Sequence, residues 1–259
     1  MRLVAVAIAT LSAGPALASA VDLDTLALNG SAQVSGGELV LTPDATSQAG
    51  SAFIPTPFAL TPQTRFSASF AFRIGPAGAD GLVFMVQNDL AGASARGGAG
   101  GNMGYGNFPG AGIGPSIAVE FDTFDNGASL GDPNGNHMGI DTNGNVVSVA
   151  TAIPSFSLEA GVTRYAFVDY DGATLTAIVN DTNATTGPNA TAISAPFDLD
   201  GELGSQGFFG FSAATGALTS RHTVESLHLT VSQIPVPATA PLMVAGLGAL
   251  AVAARRRRG

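Results

Sequence analysis

An all-β fold, a sandwich or jelly roll built as one domain, is what this sequence predicts, and three observations carry the prediction. Helix signals are nearly absent from the middle of the chain. Short stretches rich in Val, Ile, Phe and Thr recur there, each bounded by Gly, Asn, Asp or Pro, as strands are bounded by turns. The middle is also roughly 210 residues long, enough for one substantial core and a common size for a single all-β domain.

Along the chain, residues 1–20 read as a secretion signal. Arg2 supplies the positive start and Leu3 to Leu11 the apolar run. Either Ala16-Leu17-Ala18 or Ala18-Ser19-Ala20 supplies the small-residue cleavage site. Phe66 to Ile74 alternates apolar with small or polar side chains, the period of a half-buried strand. Gly81 to Gln87, Ile117 to Thr123, Tyr165 to Tyr170, Thr174 to Val179, Gly207 to Ser212 and Val224 to Val231 are further strands. Asn143-Gly144 and Asp171-Gly172 are hairpin turn pairs. Gly92 to Gly114 is a Gly-rich connection of a length that is usually functional.

The middle, residues 21–232, holds 19 acidic residues against five arginines, a balance of −14, with no lysine and no cysteine. Nucleic acid is therefore excluded as a partner, because phosphate binding needs a basic surface. Without disulfides, stability must come from the core, the sheet hydrogen bonds and bound metal.

The stretch from Val119 to Asp141, VEFDTFDNGASLGDPNGNHMGID, gathers Glu120, Asp122, Asn126, Asp132 and His137. Carboxylate, amide and carbonyl oxygens suit hard divalent cations, and an imidazole nitrogen suits a transition metal. Both preferences together read as a divalent-metal site with donors for two ions. The competing reading is an acidic, Gly-rich turn that binds nothing.

Residues 233–259 close the chain. Ile234-Pro235-Val236-Pro237-Ala238 opens an apolar stretch from Ala238 to Ala254, and Arg255 to Arg258 end it. Its 17 residues sit at the short limit for a membrane helix, with the arginines on the cytoplasmic side. The pattern resembles the bacterial VPxPA carboxy-terminal sorting signals, relatives of the PEP type. That resemblance implies a membrane transpeptidase as partner, cutting near Pro-Val-Pro-Ala. The protein would be exported, transiently anchored by the C-terminal helix, and then at the cell surface or extracellular. A plain tail anchor is the alternative.

An ordered series of motifs spans almost the whole middle: Leu28 to Ala32, Leu39 to Thr42, Phe66 to Ile74 followed by Ala79-Asp80-Gly81-Leu82-Val83-Phe84, Ala118 to Phe124, Asp132-Pro133, His137 to Asp141, and Gly210 to Gly216. In order and spacing the series resembles an L-type (legume-like) lectin. The resemblance implies the concanavalin-A-like jelly-roll β-sandwich, calcium beside a transition metal (usually manganese), and a glycan or exopolysaccharide as ligand. Carried over by position, Asp122 and Asp132 bridge both ions, Glu120 and His137 complete the transition-metal side, and Asn126 with the carbonyl of Phe124 completes the calcium side. One departure stands out: the Asn126-to-Asp132 spacing is a residue longer than in well-known members.

The same resemblance places the sugar against the calcium. Asp80, after a cis Ala79-Asp80 peptide, and Asn126 would bond sugar hydroxyls. Gly101 would donate its backbone N–H, and Phe124 would stack on the apolar sugar face unless it is a core residue. Ala217 and Leu218 match the loop that sets sugar choice. His222 and His228 read as structural. The resemblance leaves the sugar and the oligomeric state open, and implies no enzyme activity.

Three other readings compete. Glu120-Phe121-Asp122-Thr123-Phe124-Asp125 is faintly similar to the Glu-x-Asp-x-x-Glu signature of jelly-roll glycoside hydrolases, which need two carboxylates about 5 Å apart. Asp125 is a shorter side chain than that signature requires, and the chain has no tryptophan for a glycan cleft. An EF-hand loop at Asp132 to Asn136 fails, because His137 stands where glycine must be and Asn143 where glutamate must be. A structural matrix protein that keeps the fold without useful sugar affinity is the remaining alternative.

Overall fold

In the computed structural model, residues 19–76 and 78–233 are described. The expected membrane helix and nearly all of the expected signal helix fall outside the described residues. No helix among the described residues is long and apolar enough to cross a membrane.

The strands are β1 (Ser19–Ala20), β2 (Ala27–Gly30), β3 (Gln33–Ser35), β4 (Glu38–Thr42), β5 (Ala49–Phe53), β6 (Phe58–Ala59), β7 (Thr64–Ile74), β8 (Gly81–Gln87), β9 (Ser116–Asp122), β10 (His137–Thr142), β11 (Asn145–Ala152), β12 (Arg164–Tyr170), β13 (Thr174–Asn180), β14 (Thr191–Pro196), β15 (Gln206–Ala214) and β16 (His222–Gln233). One short helix, α1 (Leu199–Leu203), precedes β15 and is capped by Asp198, whose side chain accepts from Gly201 N–H. The strands form two antiparallel sheets that pack as a jelly-roll sandwich. The first runs β14-β13-β12-β7-β16-β4-β3, with β1 beside β16; the second runs β11-β10-β9-β8-β15-β5-β2, with β6 beside β15. Ser19 and Ala20, read from sequence as the end of the signal, pair in β1 with Leu229 and His228.

Seven strands legible in the sequence appear within a residue or two of their expected ends. Gly81–Gln87 is reproduced in full, and both Gly-containing turns close hairpins, between β10 and β11 and between β12 and β13. At the first turn Asn143 and Gly144 take φ of 56° and 69°, the left-handed pair a tight hairpin requires.

The main core lies between the sheets. Phe70 of β7 meets Phe211 of β15 edge-on at 5.0 Å, and Phe72 meets Phe121 of β9 at 4.7 Å. A second apolar cluster covers the other face of the second sheet. There Phe53, Val83, Met85, Ala118 and Val146 pack against Ala95, Met103, Tyr105 and Ile113 of the Gly-rich connection. With both faces covered, β8 and β9 are buried at every residue. The Gly-rich connection is thus a folded cover, held by the buried Tyr105, whose hydroxyl meets Ser116 Oγ and accepts from Gly144 N–H, each at 2.9 Å.

Candidate functional site

Side chains alternate along a strand, so Val119 and Phe121 enter the main core while Glu120 and Asp122 face the covered side of the second sheet. His137 opens β10 directly opposite Asp122. Asp132 arrives from the loop between β9 and β10. One ligand atom each from Asp122, Asp132 and His137 lies within 4.8 Å of the others. Glu120 adjoins them, with Oε1 3.2 Å from His137 Nε2. His137 Nδ1 lies 2.7 Å from Asn134 O. A carbonyl only accepts, so Nδ1 carries the proton and Nε2 faces the carboxylates. Between Asn126 and Asp132 the chain turns through Gly127–Ser129, with Gly127 and Gly131 at φ of 67° and 82°. Asp132 Oδ2 still accepts from Asn126 N–H at 2.6 Å.

Burial and the Glu120 charge push the Asp122 carboxyl up to about 8. Burial also raises Asp132. Burial pulls His137 down, but its hydrogen bond to Glu120 and the charges of Asp122 and Glu120 prevail and push it up to about 9. Acidic groups concentrated this way hold protons unless a cation takes their place. Glu120 Oε2 and Asn126 Oδ1 are buried without a hydrogen-bond partner. Buried polar atoms demand partners, so carboxylates, an amide and an imidazole around one spot fit divalent ions.

Two residues complete the cluster that the sequence reading did not assign. Ser148 Oγ lies 2.7 Å from both Glu120 Oε1 and Asp141 Oδ1. A hydroxyl has one proton to give, so one carboxyl must bring its own. Burial and the nearby Glu120 hold the Asp141 carboxyl far above the ordinary range. Asp141 therefore donates to Ser148, which donates to Glu120. Gly139 makes room for this chain, because a Cβ there would collide with Ser148 Oγ. Asp141 lay inside the stretch read from sequence, whereas Ser148 carried no sequence signal.

Beside the acidic cluster, Asp80 is clamped where three strands end. Its N–H donates to Ala214 O at 2.9 Å, and its carbonyl accepts from Thr123 N–H at 2.9 Å. The Ala79–Asp80 peptide is cis. Burial pushes the Asp80 carboxyl up to about 6, opposed by a hydrogen bond from the Gly216 backbone. Its Oδ2 has no partner, and a Cβ on Gly216 would stand 3.2 Å from that oxygen. Gly100 packs against Gly216, and Gly101 packs against the Asn126 amide. Asp80, Gly101, Asn126 and Gly216 thus converge, and the exposed Ala217 and Leu218 follow directly. Phe124 is held by its N–H to Asp122 Oδ1 at 2.7 Å. Its ring is 37% exposed and joins neither apolar cluster, so it is not a core residue.

Residues 19–242 match the family model described as the legume lectin domain. The chain belongs to the legume lectin family. The L-type lectin-domain containing receptor kinase VIII.1 of Arabidopsis thaliana is 33% identical over 221 residues, covering 80% of this chain and 30% of that protein. The legume lectin domain here thus spans under a third of that relative. Among solved structures, peanut lectin with a 9mer peptide is similar at 26% identity and a TM-score of 0.72, over 85% of this chain and 99% of the other. The lectin from Bauhinia forficata in complex with GalNAc is similar at 26% identity and a TM-score of 0.72, over 84% and 98%. Residues 233–258 of this legume lectin relative match the PEP-CTERM protein-sorting motif.

Proposed function

We propose that this domain binds carbohydrate non-covalently at the depression formed by Asp80, Gly101, Asn126 and Gly216. One observation carries the reading: Asp80 Oδ2, a buried oxygen without a partner, and the Asn126 amide stand about the bare backbone of Gly101 and Gly216. An acceptor at Asp80, with N–H donors at Asn126 Nδ2 and Gly101, fits the paired hydroxyls of a pyranose. Phe124 offers its half-exposed ring to the apolar sugar face, and Ala217 and Leu218 bound the opening. GalNAc, the sugar named with the Bauhinia lectin, is the first to test.

Asp122 and Asp132 would hold calcium and a transition metal such as manganese together, with Glu120 and His137 on the transition-metal side and Asn126 and the Phe124 carbonyl on the calcium side. When bound, the ions supply fixed positive charge. The chain's own residues do the recognising: Asp80 and Asn126 bond hydroxyls, and the strand ends fix their position. Hydrolysis is disfavoured because Glu120 is enclosed by His137 and Ser148, while Asp125 is exposed on the loop.

The sorting motif supports an exported protein, anchored through its C-terminal segment until a sorting transpeptidase processes it, and then held at the surface or in the matrix. A glycan array probed with and without chelator tests the binding. Calcium-dependent signal on galactosides or another glycan class is expected. No metal-dependent signal on any glycan would overturn the reading and leave a structural matrix role.

A further inference from the structure

Four Asn-x-Ser/Thr sequences lie in the domain: Asn29-Gly30-Ser31, Asn180-Asp181-Thr182, Asn183-Ala184-Thr185 and Asn189-Ala190-Thr191. Such a sequence is an acceptor for N-linked glycans where its amide nitrogen is reachable on the surface of an exported chain. The structure separates the four: Asn180 is buried and spends both amide protons inside its own loop. Asn29 Nδ2 donates to Ser51 Oγ at 3.2 Å and to Ala93 O at 2.9 Å, spending both protons inside the fold. Asn189 Nδ2 donates to Asp181 Oδ2 at 2.8 Å, and its Oδ1 accepts from Ser155. Asn183 differs. The β13–β14 loop is folded around Asn180, whose Nδ2 donates to Ala184 O at 2.7 Å and Thr186 O at 3.3 Å. That fold turns Asn183 and Thr185 outward, both exposed.

A second observation concerns the outer face of the first sheet. A cavity of about 250 Å³ opens there, and Asn183 stands on its rim. Its floor is the small residues Ser69 and Ala71 of β7. Phe167 and Tyr165 of β12 stand beside them in register, and His228 of β16 lies opposite Ser69. Half-exposed aromatic rings around a shallow floor make a platform for the apolar face of a sugar. Neither this trough nor the loop belongs to the Asp80 site.

We propose that Asn183 is an N-glycan acceptor whose first sugar rests in this trough. The donor class is a polyprenyl-diphosphate-linked oligosaccharide, used by an oligosaccharyltransferase outside the cytoplasm. The bond from sugar C1 to the diphosphate oxygen breaks, and its electron pair leaves with the lipid diphosphate. Asn183 Nδ2 forms the new bond to C1 and gives its proton to a base of the transferase. The proposal rests on export and not on the sugar-binding reading.

The test is tandem mass spectrometry on the full chain purified from fractions of the cell that produces it. With no lysine present, trypsin yields one peptide from Tyr165 to Arg221, and fragmentation assigns the site within it. A glycan mass is expected on Asn183 and not on Asn29, Asn180 or Asn189. It should vanish in Asn183→Gln and Thr185→Ala and return in Thr185→Ser. Exported protein with bare Asn183, or with the glycan on any of the other three asparagines, overturns the proposal. Protein found only in the cytoplasm also overturns it, and fractionation identifies that as failed export. Sugar protons shifted by aromatic ring currents, and restored to ordinary positions in Phe167→Ala, are expected for the trough; unshifted protons overturn that part.

Discussion

A Cβ built on Gly101 would stand 2.7 Å from Oδ1 of Asn126. No side chain fits there without displacing the amide. Gly101→Ala should therefore push Asn126 out of line while leaving both apolar clusters intact. The expected result is a fall in sugar affinity of tenfold or more with an unchanged circular dichroism spectrum. Titration calorimetry against GalNAc, or the best array ligand, checks it.

Asp80→Ala and Asn126→Ala remove the two side chains that would bond the sugar hydroxyls. Hydrogen bonds to a charged group contribute about 1.5–3 kcal/mol and neutral ones about 0.5–1.5 kcal/mol, so Asp80→Ala should weaken sugar binding by roughly 10- to 150-fold and Asn126→Ala by roughly 2- to 13-fold. Neither side chain lies in an apolar cluster, and the variants should stay folded. Retained affinity in both would sink the site assignment.

Protons and cations compete at the acidic cluster. Without ions, Asp122 titrates near 8 and His137 near 9, while the unfolded chain releases these protons near 4 and 6.5. The stability they contribute is complete below the unfolded values and is lost as pH rises through the folded ones. Bound ions replace the protons and, by binding only the folded state, raise stability by about 2.7 kcal/mol at a hundredfold excess over Kd. The gap in melting temperature between calcium- and manganese-loaded protein and chelated protein should therefore widen from pH 5 to pH 8. Calorimetry at several pH values measures it, and equal transitions at pH 8 would count against ions at this site.

His222 works in the opposite direction. It is fully enclosed, with Nδ1 2.6 Å from Thr42 Oγ1, and burial pushes it down to about 3. Stability from its neutral ring is complete above 6.5 and is lost as pH falls toward 3. Each pH unit in that window costs about 1.4 kcal/mol. Compared with the wild type, His222→Gln should show a shallower loss of stability between pH 6 and pH 4, by roughly 2–3 kcal/mol over the window. Parallel denaturant melts at both pH values decide it.

Much of the fold could be read from the chain because the larger side chains follow strand periods. Gly81 to Gln87 is a continuous apolar run because both faces of β8 are covered. β5, in contrast, is Ala-Gly-Ser-Ala-Phe and gives no hydropathy signal, though every residue is buried. Small residues are required there, since a Cβ on Gly50 would collide with Leu41 O. The acidic cluster was legible because Glu120 to His137 are neighbours in sequence. Asp80 and Gly101 entered only through resemblance, because their part depends on strand ends meeting in space. Ser148 was invisible: only the pairing of β11 with β10 brings its hydroxyl over Glu120.

The meeting of Asp80, Gly101, Asn126 and Gly216 has a consequence for timing. The four come from segments that touch only when β8, β9, β15 and the cover over them are all in place. No short fragment of the chain brings the four together. A sugar site at this meeting point would therefore exist only once the sandwich has closed, and an unfolded chain would present none.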